Sequence, residues 1–521
     1  MNNCYIDRLS DDLLCIIFKL ICEEEHAAFY DSFQQRFNGS HWDDWGDDDD
    51  YYQPGPSSHD SDFLSTLISA MEVCQRWKCV LSQIPSIWST FQLSFRQGAT
   101  SLEHARTFLR LSGSNPLKII LLWDDHSWIP QSVSVENDLR VEEPASREEI
   151  MASVHLVSLI QELYAHVHRW REFTLRTTSV AHMYHALSFM SHPSIHPAHM
   201  LEKFHVQLVH NERHAAHYFQ EPSLFPGSVP PIRDLLLFGI KWSWLSASMF
   251  SSTLVNLRMH YDGTFGDKDL GYKRDDALLQ LLGGLPNLQS LALELELTFD
   301  LDDEHPIVLP QLSSLSIKSR SMGNWTSDFL RCVRMPDLCI LTLDEVEREY
   351  IETHRTHTHE GILRELARLT DPDIMEDSCL LQLVELHLLN FTHRANAALI
   401  HRLYTQMITL EVLTLGPGAG DDNVALTMGL PRPHGLADLP LPGLRTLVVF
   451  DVPKDVLWHA ISERALVAGP LEELYYEDRE NKRNTTVAND WQDRVETYHR
   501  IGSVESYRYS DIVSRQWSEL E

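Results

Sequence analysis

Long apolar runs are missing from this sequence. The most apolar stretches, such as Leu235 to Ile240, fall far short of the roughly 20 residues needed to cross a bilayer. Met1 to Ser10 lacks the basic-then-apolar pattern of a secretory signal, so the expected location is intracellular, in the cytoplasm, the nucleus or both. Positive charge is scarce: 43 basic side chains stand against 75 acidic ones, a formal charge of -32, and no local basic patch offsets it. Such a surface repels a phosphate backbone or an anionic membrane, so neither nucleic acid nor membrane is an expected partner. None of the eight cysteines forms a C-x-x-C pair, and they read as scattered thiols without disulfides.

Catalytic signatures are absent too. There is no Walker-type phosphate loop, Rossmann glycine fingerprint or nucleophile elbow, so the expectation is a non-enzyme with no cofactor. Histidines number 28, but the group His354, His357 and His359 lacks H-E-x-x-H spacing and reads as an exposed loop rather than a metal site. His192, His196 and His199 read the same way.

What is present begins at the N-terminus. Ile6 to Ile21 reads as a helix with Ser10 as its cap and Asp11 and Asp12 in the first turn, favourable at the positive end of the helix dipole. Leu13, Ile17, Leu20 and Ile21 form its apolar stripe, which Phe18 widens. A second helical stretch, Phe63 to Leu81, runs into Ile84-Pro85-Ser86-Ile87-Trp88. Between the two lie residues 23–62, with twelve acids against the single base Arg36. That imbalance, with Pro54-Gly55-Pro56, predicts an exposed, largely disordered insertion; Trp42, Trp45, Tyr51 and Tyr52 leave a motif for a basic partner as the alternative.

The order Leu-x-x-x-Leu-Leu-x-x-Ile-Phe-x-Leu, Val-Cys-x-x-Trp and Pro-Ser-x-Trp closely resembles an F-box, with Leu9-Ser10 where that family has Leu-Pro. The resemblance implies a helical hairpin docking on a SKP-type adaptor and, through it, a cullin. It assigns Leu9, Leu13, Ile17, Phe18, Val73, Trp77, Leu81 and Trp88 to the docking face or its support.

From Trp88 onward the pattern apolar-x-x-apolar-x-apolar recurs thirteen times, from Trp88-Phe91-Leu93 through Leu117-Ile120-Leu122 and Trp170-Phe173-Leu175 to Leu471-Leu474-Tyr476. This is the leucine-rich repeat signature. Two apolar residues two apart face inward from a short strand, the first packs at the turn, and only stacked neighbours can bury the edge. The predicted fold is therefore α/β: an all-helical F-box over residues 1–95, then a leucine-rich repeat solenoid over 96–480. A curved parallel sheet with convex helices and loops would form the solenoid, and a C-terminal cap or tail would occupy 481–521. Convex helices are expected at Glu149 to Trp170, Asp276 to Leu282, Ser327 to Val333 and Ala397 to Tyr404, and Trp491, Val495 and Tyr498 are expected to form a capping turn.

F-box plus divergent repeats is similar to the large F-box-like families of mushroom-forming fungi. Arg110 to Leu117 and His168-Arg169-Trp170 look like phrases that recur there. The implied function is substrate recognition within a cullin-RING ubiquitin ligase, the array holding a protein target. Leu389, Val412, Val448, Phe450 and Tyr475, between the buried strand positions, are the expected target surface unless the C-terminal tail covers them. The alternative is a ligase-independent binding scaffold that keeps an F-box-like hairpin as its terminal cap.

Overall fold

A computed structural model describes residues 9–22, 24, 63–95, 98, 100–123, 147–208, 222–240, 249–261, 276–295, 307–319, 324–345, 358–369, 379–389, 397–416, 440–450, 452, 454–477 and 494–501. Most of the acidic insertion, the residues around His354 and His357, Trp491, and 502–521 lie outside them. The fold is mixed α/β. Fourteen strands, in chain order, form one open parallel sheet. The chain divides into two compact units, Met1–Leu254 with His260–Gly266, and Val255–Met259 with Asp267–Glu521.

The first unit opens with helices α1 (11–22), α2 (Phe63–Val73) and α3 (Gln75–Ser82). The ladder then runs β1 (Thr90–Ser94), β2 (Leu117–Trp123), β3 (Trp170–Thr177), β4 (Lys203–Leu208) and β5 (Asp234–Phe238), each pairing parallel with the next. Helices α4 (Thr100–Leu111), α5 (Arg147–Tyr164) and α6 (Val180–Met190) connect them. The register lines up a buried row Phe91, Ile119, Phe173, Phe204, Leu235 and a second row Leu93, Leu121, Leu175, Val206, Leu237. Trp170 stacks on Phe173 with ring centroids 4.7 Å apart, and Phe173 on Phe204 at 5.6 Å, so an aromatic column replaces leucine here.

The second unit repeats the scheme with β6 (Asn256–His260), β7 (Ser290–Glu294), β9 (Ser314–Ser319), β11 (Ile340–Glu345), β12 (Glu385–Leu389), β13 (Val412–Leu415), β14 (Thr446–Val449), β15 (Leu471–Glu477) and β16 (Val495–Ile501). A short parallel pair, β8 (Ile307–Val308) with β10 (Val333–Arg334), lies outside that ladder. Helices α7 (Asp276–Gly283), α8 (Asn324–Cys332), α9 (Thr358–Leu369), α10 (Ala397–Gln406) and α11 (Lys454–Ala468) complete the unit.

The signature's first residue does what the repeat demands. Its N–H closes a turn onto the residue three before, as from Leu288 to Leu285, Leu338 to Met335 and Leu444 to Leu441. The next N–H reaches the matching carbonyl of the previous repeat, as from Gln289 to Val255, Ser313 to Gln289, Cys339 to Ser313 and Val384 to Cys339. Stacking thus satisfies the backbone groups that a single repeat would leave bare.

Every signature triplet is buried as expected except in β2. There Ile119 and Leu121, not Ile120 and Leu122, face the core, because the register shifts by one between Leu117 and Lys118. Residues 119–123 are apolar throughout, so alternation could not choose the face, and one bulged residue flips every side chain. The expected capping turn is also corrected. Val495–Ile501 is a fourteenth strand on β15, with Tyr475 and His499 stacked at 4.4 Å.

The two phrases that carried the fungal resemblance touch. The buried Arg169 donates from Nη2 to Ser112 Oγ at 2.7 Å and from Nε to the Asn115 carbonyl at 3.1 Å. Gly113, at φ +59°, lets the intervening turn bend back to meet it. Gly239 is more constrained: at φ +70°, an added Cβ would lie 2.5 Å from the Leu208 carbonyl oxygen. Gly239→Ala is expected to cost at least about 2 kcal/mol in denaturant unfolding, against a few tenths for a change at exposed positions.

His182 on α6 is fully buried and donates from Nε2 to the Glu149 carbonyl at 3.0 Å. Burial pulls its pKa down to about 4, because the charged form cannot be solvated there. Since the folded value lies below the ordinary histidine value, stability is fully present above pH 6.5. It falls by about 3 kcal/mol as the pH drops towards 4. Urea unfolding at pH 7 and pH 4.5 should show a steeper loss in the native protein than in His182→Gln.

Candidate functional site

The N-terminal helices are built as one piece although the insertion separates them in sequence. Ser10 Oγ accepts the Leu13 N–H at 3.3 Å, capping α1 as the sequence predicts. Cys74 caps α3, its Sγ accepting the Trp77 N–H at 3.5 Å. Arg76 on α3 donates from Nε to Asp11 Oδ1 at 2.9 Å and also to the Leu9 carbonyl. That pair is too exposed to add much stability, but it fixes which end of α1 meets α3. Phe18 packs edge-on against Trp77 with centroids 5.1 Å apart, and Trp88 donates its indole N–H to the Leu81 carbonyl at 2.8 Å.

The face of α1 that packs inward is Leu14, Phe18 and Cys22, spaced four apart and all buried. The stripe read from the sequence is therefore the outer one: Leu13, Ile17, Leu20 and Ile21 are exposed, and Ile16 on the same helix is exposed with them. Leu20 reaches 57% exposure, which leaves a ridge of large aliphatic side chains on α1 facing solvent, and Val73 at the end of α2 is 61% exposed. Among the eight residues assigned to docking, Leu13 and Ile17 lie on this ridge and Val73 is exposed on α2. Phe18, Leu81 and Trp88 are buried, and Leu9 and Trp77 are half-buried.

The residues expected to receive the target do not form an exposed patch. Leu389, Val448 and Phe450 are buried, while Val412 and Tyr475 are half-buried. Their strand positions are as expected, between the core residues, but neighbours on the same face engage each other. His387 Nδ1 lies 2.8 Å from Thr414 Oγ1, and Tyr475 donates to Glu473 Oε2 at 3.2 Å. Alternation shows which face a side chain takes, not whether that face is open.

No family model matches the chain, and no curated protein does. Solved structures do. A TLR13–ssRNA13 complex aligns over 77% of this chain and 47% of its own, at 13% identity and TM-score 0.33. A Bacteroides fragilis protein aligns over 64% of this chain and 66% of its own, at 11% and 0.26. A yeast Rad7–Elc1 complex aligns over 58% and 67%, at 14% and 0.27. The chain thus spans about half the length of the first of these. The fold assignment rests on the parallel ladder and its buried triplets, not on these distant likenesses.

Among the described residues no group of three or more His, Cys, Asp or Glu side chains is arranged to hold a metal, and no helix is long and apolar enough to cross a membrane. His196 instead packs on His168, ring centroids 4.5 Å apart, and burial together with the neighbouring histidines and Arg169 lowers the pKa of His168. Sequence reasoning missed Ile16 as part of the ridge and left Leu20 and Ile21, which it placed in the apolar stripe, out of the docking set. The available signal was that α1 is apolar on both sides, more than one core contact requires.

Proposed function

We propose that this chain is the substrate-recognition subunit of a cullin-RING ubiquitin ligase, in which the N-terminal helices act as an F-box on a SKP-type adaptor and the repeat ladder binds a protein target. The observation that carries the reading is the exposed aliphatic ridge of Leu13, Ile16, Ile17, Leu20 and Ile21 on α1, with Val73 exposed at the end of α2. It lies on helices whose sequence resembles an F-box, and Phe18 and Trp77 brace it from below. A stable monomer gains nothing from leaving such residues in water, whereas an adaptor groove that accepts an amphipathic helix would bury them. The chain itself would carry no chemistry and no cofactor; ubiquitin transfer would occur on other subunits recruited through the cullin.

The second reading, a ligase-independent scaffold, draws support from Ser10, which stands where the F-box family has proline and is engaged in capping α1. Co-purification of the native chain with a SKP-type adaptor separates the two. Stable association is expected, and its absence would remove the ligase reading.

A further inference from the structure

Two histidines from consecutive repeats meet at the turns that feed β3 and β4. His168 lies in the Val167–Arg169 turn before β3, and His196 in the loop between α6 and β4. Their ring centroids are 4.5 Å apart and their planes are tilted by 59°. Among the described residues neither ring has a hydrogen-bond partner, and His168 Nδ1 is buried in that state. A buried ring nitrogen left unsatisfied is uncommon and points to a ligand. Two neighbouring histidines are engaged instead. His192 Nδ1 donates to the Ser188 and Phe189 carbonyls at 3.0 and 3.1 Å, and His199 Nδ1 to the Pro197 carbonyl at 3.1 Å.

The backbone on both sides of the pair is tied down. The Glu202 N–H reaches the Arg171 carbonyl at 2.8 Å, joining the two repeats just beyond the rings, and the Ala198 N–H donates to Ser228 Oγ at 3.1 Å. A metal bound to an imidazole nitrogen at about 2.0 Å lies about 3.2 Å from that ring's centroid, so two rings about 4.5 Å apart can take adjacent positions at a right angle around one ion. Tetrahedral positions would set them about 5.2 Å apart. Burial first, then the positive charge of His196, His166, Arg169 and His199, holds His168 below the ordinary histidine value, which keeps it in the neutral form that binds metals at pH 7. We infer that His168 and His196 form a two-histidine site for a divalent transition metal of the class imidazole prefers, copper(II), nickel(II) or zinc(II). Two protein ligands agree with the finding that, among the described residues, no group of three or more is arranged for a metal; water would fill the remaining positions. The ion would clamp the turns of two consecutive repeats, and such a clamp needs neither an adaptor nor a target.

Titration calorimetry of the untagged full chain with nickel(II), and with magnesium(II) as the control, tests the site. The tightest nickel(II) site is expected to hold one ion per chain in the micromolar range, and magnesium(II) is not expected to bind there, because it prefers oxygen ligands. His168→Gln and His196→Ala should each weaken that site by about tenfold or more. His196 is exposed, so His196→Ala should melt as the native chain does without metal, and it decides the matter if His168→Gln melts lower. His354→Gln, His357→Gln and His359→Gln together remove the other histidine-rich stretch and should leave nickel(II) binding as it is in the native chain. No tight nickel(II) site in the native chain, an unchanged site in His196→Ala, or a site lost in the triple variant would overturn the inference.

Discussion

Trp170→Ala is expected to lower the stability of the first unit by about 4 kcal/mol, enough to unfold a marginal domain at ordinary temperature. Trp170 is fully buried at the turn into β3, stacked on Phe173 and close to Tyr164, and its indole N–H satisfies the Leu163 carbonyl at 3.1 Å. Alanine leaves a large cavity and removes one of the two hydrogen bonds that the Leu163 carbonyl accepts, the other coming from the His166 N–H. The effect spreads because Arg169, next in sequence, holds the Ser112–Asn115 turn. Trp170→Phe should recover most of the packing and lose only the hydrogen bond, costing about 1–2 kcal/mol. Urea unfolding followed by far-ultraviolet circular dichroism distinguishes the two, and an alanine variant as stable as the native protein would contradict the packing described.

The ladder was legible in sequence because its signature encodes burial directly. Leu312, Leu315 and Ile317, or Leu338, Leu341 and Leu343, are fully buried where the spacing puts them. Convex helices were legible where a cap or a glycine pair marks an end, as at Asp276 to Gly283. The boundaries moved elsewhere. The helix expected from Glu149 to Trp170 stops at Tyr164, since Val167 to Arg169 tightens into a 3-10 turn before β3, and α8 begins at Asn324 rather than Ser327.

Three failures share a cause, which is that periodicity is silent wherever nearly every position is apolar. In α1 it drew the apolar stripe through Leu13, Ile17 and Leu20, whereas the residues that pack inward are Leu14, Phe18 and Cys22. In β2 it chose Ile120 over Ile119. At Val448 and Phe450 it identified the sheet face correctly but could not report that the face is closed.

The second large effect concerns the ridge itself. Ile17 and Leu20 are 37% and 57% exposed, so aspartate at either position leaves the free chain's core untouched. In a complex the same carboxylates would be buried against an apolar groove without a partner, which costs several kcal/mol each. The most direct measurement is the dissociation constant of the full chain for a SKP-type adaptor, native against the double variant Ile17→Asp, Leu20→Asp, with thermal melting as the control for folding. The account predicts binding by the native chain, weakened by at least about 100-fold in a double variant that melts normally. Equal affinity in the two proteins, or no binding by the native chain, would contradict it.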